Sequence, residues 1–113
     1  METWTHSGMD CALRHGGIGA PCGYVAIPES HPFFQKQYQE LDRFVIIHGG
    51  LTFSGRFEED SQDRFWIGFD MAHAEDIELR DGEICILRSD DECRTETNRL
   101  AEQANQFFGR KII

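Results

Sequence analysis

Several features are scarce in this 113-residue chain, and each scarcity removes a class of function. No apolar run approaches the roughly 20 residues that cross a bilayer, and no basic-then-apolar leader opens the sequence, so a soluble protein of the cytoplasm is expected. Positive charge is short: 11 Lys and Arg stand against 20 Asp and Glu, for a net charge of -9. That balance disfavours direct binding to nucleic acid, which rests on Lys and Arg neutralising phosphates, and favours a partner with a basic surface. The cysteines, Cys11, Cys22, Cys85 and Cys93, show no C-x-x-C spacing. Neither a zinc ribbon nor a thioredoxin motif is indicated, and reduced thiols are expected. G-x-S-x-G, H-E-x-x-H and Walker sequences are absent as well, which withholds the common nucleophile, zinc-protease and P-loop readings.

What is present suits a single compact domain. Nine phenylalanines and two tryptophans in a polar chain (mean hydropathy -0.48) indicate an aromatic core beneath a charged shell. The first twenty residues are glycine-rich and lack a sustained period, so residues 1–20 read as a flexible arm and 21–113 as one α+β domain. Cys22–Ile27 reads as a strand closed by Pro28, and Phe33–Leu41 as one or two helical turns with Phe34, Tyr38 and Leu41 on one face. Asp81-Gly82 is a turn ahead of a strand-like Glu83–Leu87. Near the end, Ser89 and Glu92 form an S-x-x-E capping box. Cys93, Thr97, Leu100, Ala101, Ala104, Phe107 and Phe108 follow as a helical stripe, with Gly109 placed to end it.

The chain is organised around residues 44–76. Phe44–His48 and Leu51–Phe57 read as strands joined at Gly49-Gly50, and Arg64–Phe69 as a third strand, a small antiparallel meander packed on the C-terminal helix. In that register His48 and the glycines share a sheet edge with Asp70, His73 and Asp76. Thr52, Ser54, Arg56 and Trp66 would form a pocket floor, and Gly55 and Gly68 would leave gaps for a close approach.

Asp70, His73 and Asp76 recur every three residues, so a 3₁₀ or helical turn would stack them. With His48 they make a donor set of the kind Zn²⁺ or Mn²⁺ accepts. The same groups also suit an Asp–His pair for proton transfer, or contact with a ligand through His48, Gly49, Gly50, Thr52, Ser54, Trp66, Asp70, His73 and Asp76. Structural roles compete: Asp70 can cap the turn after the third strand, bonding the amides of residues 72 and 73, and His48 can simply cover the core.

GYVAIPESHP (residues 23–32), HGGLTFS (48–54), FWIGFDMAHAED (65–76) and ETNRLAEQ (96–103) together resemble the signature of small, poorly characterised proteins of bacteriophages and prophages. The likeness spans about residues 22 to 106, with a polar helix lead-in, SDDECRTE, where such proteins carry aromatic and aliphatic residues. It implies a phage context: an accessory protein of the host cytoplasm that binds and inhibits a host defence component, in the manner of an anti-CRISPR protein, or that sequesters a small molecule. A metal-dependent hydrolase acting on a nucleotide-like substrate is the alternative.

Overall fold

The computed structural model describes residues 1–112. The architecture is α+β, as expected: an antiparallel sheet covered on one face by a C-terminal helix. Strands β1 (Glu2–His6), β2 (Met9–His15), β3 (Pro21–Ala26), β4 (Phe53–Gly55) and β5 (Trp66–Asp70) lie in the order β1-β2-β3-β5-β4. A separate hairpin, β6 (Ile77–Arg80) with β7 (Glu83–Ile86), follows, then α2 (Asp90–Asn105). A four-residue helix, α1 (Tyr38–Leu41), sits in the long connection between β3 and β4.

The expectation of a flexible arm at residues 1–20 is overturned. Ser7 and Gly8 both take positive φ, 51° and 72°, the pair of dihedrals a tight hairpin requires, and β1 folds back on β2. β2 is central to the sheet, with Met9, Cys11 and Leu13 in the core beneath α2 and Ala12 in a second cluster on the opposite face. Only the burial of Ala12 interrupts an alternation in which Met9, Cys11 and Leu13 face inward and Asp10 and Arg14 outward, a pattern too short to stand out among the flanking glycines. β1 is fastened to α2 by a ladder of side chains: Glu2 to Arg94, Trp4 Nε1 to Asn98 Oδ1 at 2.8 Å, and His6 to Glu102 at 2.6 Å. Two residues along a strand advance about 6.8 Å and four along a helix about 6 Å, so the two spacings stay in step.

The helix forms where the capping box and stripe predict. Ser89 Oγ accepts from the Glu92 amide at 3.0 Å, and Glu92 Oε1 accepts from the Ser89 amide at 3.0 Å. Cys93, Thr97, Leu100, Ala101 and Ala104 are all buried. Helix and sheet come close together at Gly23, where an added Cβ would collide with Thr97 Oγ1 and the Phe69 ring. At the helix's C-terminal end, buried His31 donates through Nε2 to the Ala104 carbonyl at 2.7 Å and accepts from the Phe33 amide through Nδ1 at 3.0 Å. All four cysteines are unpaired thiols. Burial pushes Cys93 up to about 12 and Cys11 up to about 11, which leaves both unreactive. No described helix is long and apolar enough to cross a membrane.

The meander over residues 44–69 is corrected. β4 pairs with β5 and β3 lies on the other side of β5, but residues 45–47 join no strand, and a reverse turn closed by Gly50 N to Ile47 O stands where a hairpin was expected. The cause lies in α2. Gln103 receives the Ile46 amide on Oε1 at 2.7 Å and donates Nε2 to the Ile46 carbonyl at 2.8 Å, as a neighbouring strand's peptide would. Val45 and Ile47 still point inward, while Ile46 is 80% exposed.

Register also separates the expected pocket floor. Ser54 opposes Ile67 on the helix side of the sheet, whereas Trp66 opposes Gly55 on the other side. Trp66 is fully buried among Tyr24, Ala26 and Phe57, so it floors no pocket. The gap at Gly68 is filled by the Tyr24 ring. Deleting residues 1–15 should abolish the cooperative thermal transition, because β3 would lose one of its two partner strands and the core would lose Met9, Cys11 and Leu13. A truncated chain that melts within a few degrees of the intact one would show β1 and β2 to be dispensable.

Candidate functional site

His48, Asp70, His73 and Asp76 do come together, though not at the ends of paired strands. His48 sits in the 47–50 turn, and the chain leaving β5 passes through Asp70 and Met71 into a 3₁₀ turn, Ala74–Asp76. Asp76 is its third residue, and its Oδ2 accepts from the His73 amide at 3.1 Å. That reciprocal cap turns Asp76 inward, where it is completely buried. His48 Nε2 lies 2.8 and 2.9 Å from the two Asp76 oxygens. An ionised carboxylate can only accept, so His48 carries its proton on Nε2. Arg88, just before the capping box of α2, donates Nε to Asp76 Oδ1 at 2.7 Å.

This arrangement sets the charge state of Asp76. Burial alone would push its carboxyl up; the bonds from Arg88, His48 and the His73 amide outweigh that and hold it below the usual range. The network continues through the His48 amide, which donates to Glu96 Oε2 at 2.8 Å, and Glu96 Oε1 pairs with Arg99 at 2.7 Å. Arg88 and Glu96 are the participants that the sequence reading missed. Their one signal was position: both lie within a helical turn or two of the capping box, on the side facing the HGG segment.

Asp70 and His73 are placed differently. Asp70 Oδ1 accepts from the Ala72 amide at 3.0 Å, so the capping role expected of it is real, while the His73 amide goes to Asp76. His73 Nε2 lies 3.4 Å from Asp70 Oδ1 in an orientation that makes no hydrogen bond, and it is sealed from solvent. Its ring rests on the backbone of Gly49, whose φ is +68° and whose position would bring any Cβ into collision with Nε2. Gly49 is thus required twice, for its dihedral and for its missing side chain. Gly50 carries its own positive φ beside Asp42, whose Oδ1 accepts from the Leu51 amide at 2.7 Å.

Two surface depressions flank these histidines. One, about 570 Å³, is bordered by Thr52, Asp70 and His73 and walled by Ile18, Tyr24 and Phe53. The other, about 460 Å³, runs from His48 along α2 past Arg88, Glu92, Glu96 and Arg99. Ser54 borders neither; its Oγ accepts from the Tyr38 amide at 3.0 Å and anchors α1. Trp66 belongs to a second buried carboxylate centre, its Nε1 donating to Asp60 Oδ2 at 3.0 Å. The Arg64 guanidinium, with this indole and backbone amides, holds the Asp60 carboxyl far below its usual value.

As a metal centre, the cluster differs from the expected set. His48, Glu75 and Asp76 offer donor atoms all within 4.8 Å of one another, whereas Asp70 and His73 fall outside that grouping. Asp76 already has a cation, since the Arg88 guanidinium occupies one of its oxygens. A divalent ion would have to displace it. Comparison of the chain with family models, with curated proteins and with solved structures finds no match in any of the three.

Two outcomes follow from the geometry. Gly49→Ala should cost about 1–3 kcal/mol, the usual penalty for forcing a side chain into the left-handed region; equal stability in chemical denaturation would contradict the packing of His73 on Gly49. Acid should act in two stages. Burial lowers the His31 proton affinity, so the unfolded chain protonates there first as pH falls through about 6.5, a shallow loss of stability. Asp60 and Asp76 are also depressed, so a steeper loss begins as pH falls through about 4, where the unfolded carboxylates take up protons that the folded ones refuse. Melting temperature against pH checks both limbs, and His31→Gln should remove the shallow one.

Proposed function

We propose that this protein works by binding rather than by catalysis, as a small accessory protein of the phage type, and that the depression beside Thr52, Asp70 and His73 holds a small ligand. One observation carries the choice. His48 and Asp76, the pair best suited to proton or metal chemistry, are spent on each other and on Arg88. Asp70 retains unused hydrogen-bonding capacity at the rim of an apolar-walled depression that the His73 ring also borders.

The ligand class follows from the lining. Asp70 offers a partly exposed carboxylate with no Lys or Arg paired to it among the described residues, and Tyr24, Phe53 and Ile18 offer apolar surface. A small cation or amine with an apolar body fits both. In the phage context implied by the sequence resemblance, sequestering such a molecule, or presenting it while a host defence component is engaged, is the corresponding role.

The second reading keeps the metal-dependent hydrolase, on the strength of the His48, Glu75 and Asp76 donor cluster. Zn or Mn would be held there, and it would polarise a nucleotide-like substrate or its attacking water. The Arg88 contact weighs against it.

Titration with a panel of small aromatic amines, followed through backbone amide shifts, tests the first reading. Shifts should concentrate at Ile18, Thr52, Asp70 and His73. Asp70→Asn and His73→Gln should abolish them, with Asp70→Asn staying within about 1 kcal/mol of the parent in stability because Asn keeps the cap on the Ala72 amide. Shifts scattered elsewhere, or unchanged in both variants, would defeat the ligand site. Stoichiometric Zn or Mn in protein purified without chelator would transfer the assignment to the hydrolase.

A further inference from the structure

The β6–β7 hairpin is at odds with ordinary surface composition. Its register sets Ile77 opposite Ile86 and Leu79 opposite Ile84, so one face is wholly aliphatic. Its far half looks outward, with Leu79 71% exposed and Ile84 51%, while Ile77 and Ile86 are half-buried. The other face carries Glu78, Arg80, Glu83 and Cys85. The hairpin forms a sheet by itself, with no third strand on either edge among the described residues. Two strands alone are marginal in water, and an exposed aliphatic edge is a pairing hazard that proteins usually blunt.

The chemistry of the occupant can be read from charge and area. Arg80 is bound to Glu78 through Nε at 3.1 Å and Nη2 at 2.8 Å, which neutralises the β6 side of the polar face. Glu83, Asp81 and Glu75 have no cation partner among the described residues, so β7 and the hairpin ends are acidic. A second copy of the chain is a poor match. It would bring the same carboxylates face to face on a molecule of net charge -9. Four aliphatic side chains, two of them half-buried, also fall short of the ~800 Å² per partner that stable association needs. An added strand escapes both limits, because backbone hydrogen bonds supply affinity that side-chain area does not.

We propose that the outer edge of β7 is a docking strand for an extended segment of a partner protein in which aliphatic and basic residues alternate. The aliphatic side chains of the segment widen the Ile77, Leu79, Ile84, Ile86 face. Its lysines or arginines fall on the opposite face, beside Glu83. This surface is separate from the ligand depression and does not depend on it.

The test uses the intact protein and a short synthetic peptide in which lysine and valine alternate, with a glutamate–valine peptide of equal length as control. The basic peptide should bind at least about tenfold tighter than the acidic one and weaken as salt rises. Leu79→Ser with Ile84→Ser should leave the melting temperature unchanged, both side chains being exposed, and should reduce affinity about tenfold. Glu83→Lys should lower affinity for the basic peptide and raise it for the acidic one. Equal binding of the two peptides, or affinity indifferent to these substitutions, overturns the proposal. So does a concentration-dependent dimer in light scattering that the peptide fails to dissociate, since the aliphatic face would then be an interface between copies.

Discussion

A carboxylate sealed from water must be met by donors on nearly every oxygen lone pair, and Asp76 is the position where this chain meets that demand. Breaking one member of a buried ion network leaves an uncompensated charge, a far larger penalty than the net gain from forming it. The three groups that satisfy Asp76 come from three parts of the molecule: His48 from the turn that precedes β4, the His73 amide from the 3₁₀ turn after β5, and Arg88 from the start of α2. The Leu87 amide adds a bond to the Asp76 carbonyl at 2.8 Å, which ties in the base of the β6–β7 hairpin. Elements that share no strand pairing are therefore held by one side chain. The position of both depressions beside the histidines depends on it.

The same dependence explains why the H-G-G and F-D-x-A-H-x-x-D segments read so strongly as a site. Each residue in them answers a geometric demand: His48 covers Asp76, Gly49 lies under His73, Asp70 caps Ala72, and His73 and Asp76 cap each other. Such segments can position a ligand without supplying a catalytic group. What remains partly open to solvent and unspent, the Asp70 carboxylate, lies on the side of the larger depression.

How much was legible depends on whether the interactions were local. The capping box and stripe of α2 are short-range features, and the helix lies where they put it. The three-residue spacing of Asp70, His73 and Asp76 implied one turn stacking all three, but the 3₁₀ turn covers only Ala74–Asp76, Asp70 ends β5, and Asp76 points away from it, toward His48 and Arg88. β2 was only partly legible, as a short ordered piece near Asp10–His15, because the glycines on both sides of it read as a loose arm, and β1 was illegible because its holding bonds reach some ninety residues down the chain to Arg94, Asn98 and Glu102. Residues 44–48 carried a strand-like pattern that Gln103 and Glu96 satisfy from the helix, a substitution no periodicity can report. The placing of Ser54 and Trp66 in one pocket failed on a single-residue register.

Asp76 is a structural hub, and Arg88 closes it. A double-mutant cycle with Arg88→Met, Asp76→Asn and the combined variant, read by thermal melting at neutral pH, measures that closure directly. Arg88→Met alone should lower the melting temperature strongly, since it strands a buried charge, and adding Asp76→Asn should recover part of the loss. Losses that simply add, or an Arg88→Met protein that melts like its parent, would contradict the account and return Asp76 to the list of groups free to bind a metal.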